Sequence, residues 1–552
     1  TRSLVWRNIL FYTMRQKYVG VVTAAFLSAA LPLWAQNTSV LTAEYENGRS
    51  ASNGSETVLT PATVNAATFG KLGSYNVDGQ VAGQPLYVSK LKMPGKGNTQ
   101  TNVLYVATMH NTVYAFDADH PGTAPLWSVN LGPSVPQNYA GTCPANFSTG
   151  TELGILSTPV IDSKSGTIYV VAAHPVPGTM AYIHQLYALD LTTGAAKNGG
   201  SAVISAQVPG TGVDSSNGTV TMNQTRMIQR PALLLANGSV YAGFSSCGPD
   251  PDPYHGWVIG YNAANVQQQT VAYNSTPNGE EGGIWQSGAG LVADGKGFIY
   301  FETGNGTSDD VSNFGESFEK LTPTGTVADW FTPSNADALN ALDLDLSTTG
   351  PILTSDTHLL IGVGKQRGAV LGGGKQGIVY VLSADSLGGK SGQTGPVQAI
   401  PTDGCTADTF SGCQKLHSLA YWPSATTPAF YTWGTGDVLR AYSFVKGQFT
   451  TTPTSTGGEQ VSYPGGILAV SHAHGAPGTA IVWALTPSEL HAFDASNVAI
   501  ELWNSNQNGA RDGLAGNYHF GQFTVVNGTV YVPDAQNHIV VYGLLPGLAG
   551  KK

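Results

Sequence analysis

The sequence predicts an all-β chain folded as a single eight-bladed β-propeller of four-stranded antiparallel blades, closed by an N-terminal strand. One observation is a phrase that keeps returning: Asn102-Val-Leu-Tyr-Val-Ala, Gly166-Thr-Ile-Tyr-Val-Val, Gly238-Ser-Val-Tyr-Ala, Gly297-Phe-Ile-Tyr-Phe, Gly377-Ile-Val-Tyr-Val and Gly528-Thr-Val-Tyr-Val. A fixed unit repeated every few tens of residues is the mark of a ring or solenoid. Another is chemistry: short runs of Val, Ile and Tyr alternate with Gly, Asn and Asp, which is strand and turn composition. The third is what is missing. With 69 Gly and 31 Pro in 552 residues, no stretch after residue 36 keeps apolar residues at helical spacing over three turns.

The elements follow in order. Most Tyr-bearing segments are preceded by an apolar strand such as Thr158-Pro-Val-Ile-Asp or Gly521-Gln-Phe-Thr-Val-Val. They are followed by a third, Thr112-Val-Tyr-Ala-Phe-Asp or Gln185-Leu-Tyr-Ala-Leu-Asp, and often by a weaker fourth such as Pro125-Leu-Trp-Ser-Val. Four antiparallel strands make a blade. Units begin near Gln84, Ser157, Gln229, Ser287, Thr349, His417, Gly465 and Gly521. The sixth is degenerate, so the ring has seven blades if that unit is an insertion. The last unit has three strands, and Lys71-Leu-Gly-Ser-Tyr-Asn-Val supplies its fourth, which removes an open edge. Asn335 to Leu346 is the one helix-like stretch and is placed in a loop.

Residues 1–36 read as a signal peptide with an upstream start artefact, because Met14-Arg-Gln-Lys precedes the apolar run Tyr18 to Leu33 and Ala35-Gln36 offers a cleavage point. The run is short for a membrane span, so no stable span is expected and the chain is periplasmic or secreted. Residues 37–68 form a lead-in, 69–545 the propeller and 546–552 a tail. Net charge is −10 with 11% charged residues and no basic run, which excludes nucleic acid as a partner. Cys405 and Cys413 are spaced for a local disulfide, and Cys143 can pair with Cys247. No C-x-x-C-H occurs, so no covalent haem is expected.

The phrases Ala115-Phe-Asp-Ala, Ala188-Leu-Asp-Leu-Thr-Thr-Gly and Ala492-Phe-Asp-Ala, the first and last followed by a Trp, resemble the repeat of pyrroloquinoline quinone (PQQ) type propellers, in which such a Trp docks on the next blade. Leu59-Thr-Pro-Ala-Thr-Val-Asn is similar to the lead-in of quinoprotein alcohol dehydrogenases. The resemblance covers roughly residues 45 to 545. It implies a cofactor site on four residues. Asn305, in Thr303-Gly-Asn-Gly, matches a Ca²⁺ ligand, and an amide oxygen suits that hard ion. Asp343, with Asp345 beside it, matches the catalytic base that takes an alcohol proton. Lys375 matches the cation that bonds the quinone oxygens, although Lys365-Gln366 is a near copy. Trp285 matches the residue stacked under the quinone.

The chain also departs from the pattern. The Trp expected before Asp343 is Leu342, the adjacent Cys pair over the cofactor is absent, and the loop expected to carry a calcium-binding Glu reads His174-Pro-Val-Pro-Gly-Thr. Glu152 is the nearest acid. Two readings stand side by side. One is an exported dehydrogenase that uses PQQ and Ca²⁺ to oxidise an alcohol or sugar and hands electrons to a separate acceptor. The other is a non-catalytic scaffold that binds a protein or glycan across one face.

Overall fold

In the computed structural model, the described residues are 37–136, 152–247, 250, 252–354, 360–361, 366–389, 395–402 and 415–546. The expected signal peptide, Cys143, Cys405, Cys413 and Lys365 lie outside them.

Eight sheets succeed one another. Blade 1 is Leu86–Met93, Thr99–Ala107, Thr112–Asp117 and Trp127–Asn130; blade 2 is Val160–Asp162, Thr167–Pro175, Tyr182–Asp190 and Ala196–Val203. Blade 3 is Leu234–Ala236, Ser239–Ser246, Trp257–Asn262 and Gln269–Asn274; blade 4 is Val292–Ala293, Ile299–Glu302, Phe318–Leu321 and Val327–Phe331. Blade 5 is Ile352–Thr354, Ala369–Gly373, Ile378–Ser383 and Gln398–Pro401. Blade 6 is Leu419–Trp422, Ala429–Thr432 and Arg440–Val445, its fourth strand split into Gln448–Phe449 and Ser455–Thr456. Blade 7 is Ile467–Ser471, Ile481–Leu485, Leu490–Asp494 and Glu501–Asn504. The degenerate sixth unit is thus a full blade. Blade 8 is Thr524–Val526, Thr529–Pro533 and His538–Leu544, and Phe69–Asn76 pairs antiparallel with His538–Leu544 as its outer strand.

The recurring tyrosine has a physical reason. On the second strand of a blade its ring is buried between sheets, and its hydroxyl reaches the turn after the third strand of the next blade. Tyr105 donates to the Leu191 carbonyl at 2.8 Å, Tyr169 to Ala263 at 2.6 Å, Tyr300 to Ala384 at 3.1 Å and Tyr431 to Ala495 at 2.7 Å. Tyr531 closes the circle from blade 8 to blade 1, at 3.2 Å from the Ala118 carbonyl. A buried phenol needs such a partner. The Gly377 phrase is the exception: Tyr380 lies on the third strand of blade 5, not the second. The expected Trp docking is present twice. Trp127 donates to the Leu191 carbonyl at 3.0 Å, and Trp503 packs on Phe69 and Tyr542 of blade 8 at 4.9 and 5.4 Å between ring centroids.

The lead-in does more than introduce the ring. Residues 40–53 run along the inner strands and bond to all eight. Val40 and Tyr87 exchange backbone bonds, the Leu41 carbonyl accepts from Ile161, and the Asn47 side chain donates to Leu235. The carbonyls of Asn47, Gly48, Ser50 and Ala51 then accept from Ala293, Leu353, Tyr421 and Val470 at 2.7–2.9 Å. Asn53 donates to the Val525 carbonyl at 2.9 Å. Arg49, fully buried, donates to Thr42, Ala43, Leu233 and Leu291. The helix-like stretch is a short helix, Ala336–Ala341, in the loop between blades 4 and 5.

Candidate functional site

Inner strands start, and second strands end, at one face of the ring. The loops on that face enclose a cavity of about 210 Å³. Blade 3 contributes Ser246 and Asp250, the loop before blade 4 contributes Trp285 and Ser287, and the loop before blade 5 contributes Asp343 and Asp345. Lys375 comes from the hairpin between the second and third strands of blade 5. His417, Tyr463 and Phe520 precede the inner strands of blades 6, 7 and 8.

The structure brings the four residues singled out in the sequence to this one place. The Lys375 ammonium lies 2.7 Å from Asp343 Oδ1 and also contacts Asp345 Oδ2. Asn305 stands behind Asp343: its Nδ2 donates to Asp343 Oδ1 at 3.1 Å and its backbone N–H to Asp345 Oδ1 at 3.1 Å. Trp285 lines the opposite wall, 5.7 Å edge-on from Phe520, and Arg230 packs over both rings at 5.6 and 5.0 Å.

The glycines of the nominated phrases are explained by Asp345. A Cβ on Gly304 would stand 2.3 Å from Asp345 Oδ1, and one on Gly374 would stand 2.2 Å from the Asp345 carbonyl oxygen. Both loops approach that aspartate as only glycine can. The turns are also strained: Asp343 (φ 53°), Gln286 (52°), Ser287 (40°) and Glu316 (49°) occupy left-handed backbone, which persists only where surroundings hold it.

Electrostatics follow from this packing. Burial opposes the charged form of Lys375, but Asp345 and Asp343 together outweigh it and raise its pKa above the ordinary value. Burial works to raise Asp343, yet the Lys375 ammonium and the Asn305 amide hold it below the usual carboxylate range. Asp343 is therefore ionised at neutral pH. Burial, helped by Lys375, pushes His417 down to about 3, so its imidazole is neutral. Glu316, fully buried with one oxygen accepting from the Leu346 N–H at 2.7 Å, is pushed well up by burial and by Asp345.

Several polar atoms here have no partner among the described residues: Asn305 Oδ1, His417 Nε2, Glu316 Oε1 and Arg230 Nε. Glu152 does not join them. It pairs with His110 at 2.9 Å and is not among the residues lining the cavity. Sequence reasoning missed Asp250, His417, Tyr463, Phe520, Arg230 and Glu316. Position in the repeat was the available signal, since His417, Tyr463, Phe520 and Arg230 all lie just ahead of an inner strand.

No family model matches this chain, and no curated protein matches it. Among solved structures it is similar to BamB from Moraxella catarrhalis, with 12% identity and a TM-score of 0.46 over 86% of this chain and 99% of that one. It is also similar to Saccharomyces cerevisiae Sqt1, with 9% identity and a TM-score of 0.47 over 87% of this chain and 100% of that one.

Proposed function

We propose that the cavity is the site of an exported quinoprotein-type oxidoreductase acting on an alcohol or sugar. The observation that carries this reading is the convergence of Asn305, Asp343, Lys375 and Trp285. They come from separate loops: Asp343, Lys375 and Trp285 line one cavity, and Asn305 stands behind Asp343.

The residues suit the implied groups in chemistry. Asn305 Oδ1 is a buried oxygen without a partner among the described residues, and with the Asp343 carboxylate it would hold Ca²⁺. Trp285 offers a flat wall and Lys375 a fixed positive charge. A bound quinone would supply the two-electron acceptor. The chain's own part is to place an ionised Asp343 where it accepts a hydroxyl proton. Asp345 holds Lys375 in position, and Trp285, Tyr463 and Phe520 give the cavity aromatic walls.

A second reading has its own support. At about 210 Å³ the cavity is below the ~300–1,000 Å³ usual for cofactor-sized ligands. Lys375 also pairs with Asp343, the carboxylate from which a calcium ion would draw an oxygen. A scaffold that binds a small ligand, or a protein or glycan partner, on this face fits those two facts. Reconstitution with PQQ and Ca²⁺ separates the readings. Quinone absorbance retained through gel filtration, with dye-linked oxidation of alcohols or sugars that Asp343→Asn abolishes, supports the oxidoreductase. Absence of both eliminates it.

A further inference from the structure

We propose that the inner edge of the ring is a binding site for a bent peptide that passes from blade to blade, and that residues 40–53 of this chain are its resident occupant, a tethered plug in the channel. The proposal is independent of what the cavity binds. Inner strands of a propeller leave one edge of N–H and C=O groups without a neighbouring strand, and such an edge invites strand addition. Here the lead-in takes up those groups blade by blade, in chain order. Ser52–Asn53 even forms a short parallel pair with Val470–Ser471 of blade 7.

Recognition is mostly through backbone, so it places few demands on sequence. Arg49 is the side-chain anchor: its guanidinium reaches carbonyls of blades 3 and 4 and ties them to the segment's own Thr42 and Ala43. Glu56 ends the segment, one carboxylate oxygen accepting from Val58 and Leu59 and the other from Gly528 of blade 8. Glu44, Tyr45, Arg49 and Ala51 all have left-handed backbone, with φ between 55° and 78°. A segment bent this way is held by its receptor rather than by its own preference.

The test uses the full chain with a protease recognition sequence inserted between Ala66 and Ala67, both exposed. After cleavage the N-terminal piece is expected to stay with the ring through gel filtration. A labelled synthetic peptide of residues 37–57 is expected to exchange into the cleaved protein saturably, while a peptide with Arg49→Ala binds at least tenfold more weakly. Failure of the peptide to bind, or equal binding of the Arg49→Ala peptide, overturns the proposal. Hydrogen exchange on uncleaved Arg49→Met guards against loss of the fold on cutting. The amides of Leu353, Tyr421 and Val470 should exchange about tenfold faster while third-strand amides keep their protection. Unchanged exchange at those three amides overturns the proposal as well.

Discussion

The two sets of groups that line the inner strands obey opposite rules. Along the strands, where residues 40–53 sit, buried polar groups are largely satisfied. Arg49 makes four hydrogen bonds and Glu56 three, while Glu44 Oε2, Gln84 Nε2, Thr354 Oγ1 and Trp422 Nε1 are exceptions. In and behind the cavity wall, Asn305, His417, Glu316 and Arg230 each leave an atom without a partner among the described residues. Satisfied burial is what stability selects, and unsatisfied burial persists where something else is gained. The difference separates a structural region from a site, and it can be tested by asking where substitutions cost stability.

Arg49→Met should give the largest effect. It strands four acceptors and loosens the plug, and about 3–5 kcal/mol of unfolding free energy should be lost in urea denaturation. A loss under about 1 kcal/mol would erase the contrast between the two regions.

The next effect is a pH dependence centred on Glu44. Burial lifts its carboxyl from an ordinary 4.5 to about 8, against the pull of Arg49 and with Glu46 adding to the rise. The folded value exceeds the unfolded one. The stabilisation is therefore complete below about pH 4.5 and is lost as pH rises through about 8. Stability should fall by up to about 1.4 kcal/mol per pH unit in that window, and Glu44→Gln should flatten this component. A slope unaffected by Glu44→Gln would show that the carboxyl is ionised in the fold.

Tyr531→Phe removes one of the hydrogen bonds between blade 8 and blade 1, beside those of Tyr75 and Thr524, and should cost about 1 kcal/mol, read as a lower midpoint at constant m-value. Smallest is Asn305→Leu. The variant loses the Nδ2 bond to the Asp343 carboxylate but also relieves the burial of an Oδ1 that has no partner among the described residues, and the two terms offset, so stability should stay within about 0.5 kcal/mol of the parent. Any thermal stabilisation by added Ca²⁺ should disappear. A large loss of stability with Asn305→Leu would make that residue structural, and the contrast would fail from the other side.

Much of this molecule is readable from its chain. Gly-x-Val-Tyr marks the second strand in blades 2, 3, 4 and 8, because a tyrosine at that position both fills the gap between sheets and caps the neighbouring turn. The closing strand was legible at Lys71 for the same reason, since a three-stranded last unit lacks an edge. Blade 5 misled because its second strand, Ala369–Gly373, is a run with few strand-forming side chains, and the Gly377 phrase falls on the third strand instead. Within the site, Asn305 and Lys375 stood out because they interrupt a repeat. His417, Tyr463 and Phe520 did not, since each sits where every unit has some loop residue.

The sequence by itself determined the propeller fold, the four-stranded blade and the closure by an N-terminal strand, because each depends on local periodicity and turn chemistry repeated many times; it left the count at eight or seven, and the full sixth sheet decided it. It also marked the loops that depart from the repeat. Only the tertiary structure decided that those loops meet at one cavity, that Asp345 holds Lys375 and requires glycine at 304 and 374, and that residues 40–53 bond to every inner strand. Those contacts join residues tens to hundreds of positions apart. They arise from closing the ring, which brings eight strand edges around a common channel, and no local pattern records what will face what across it.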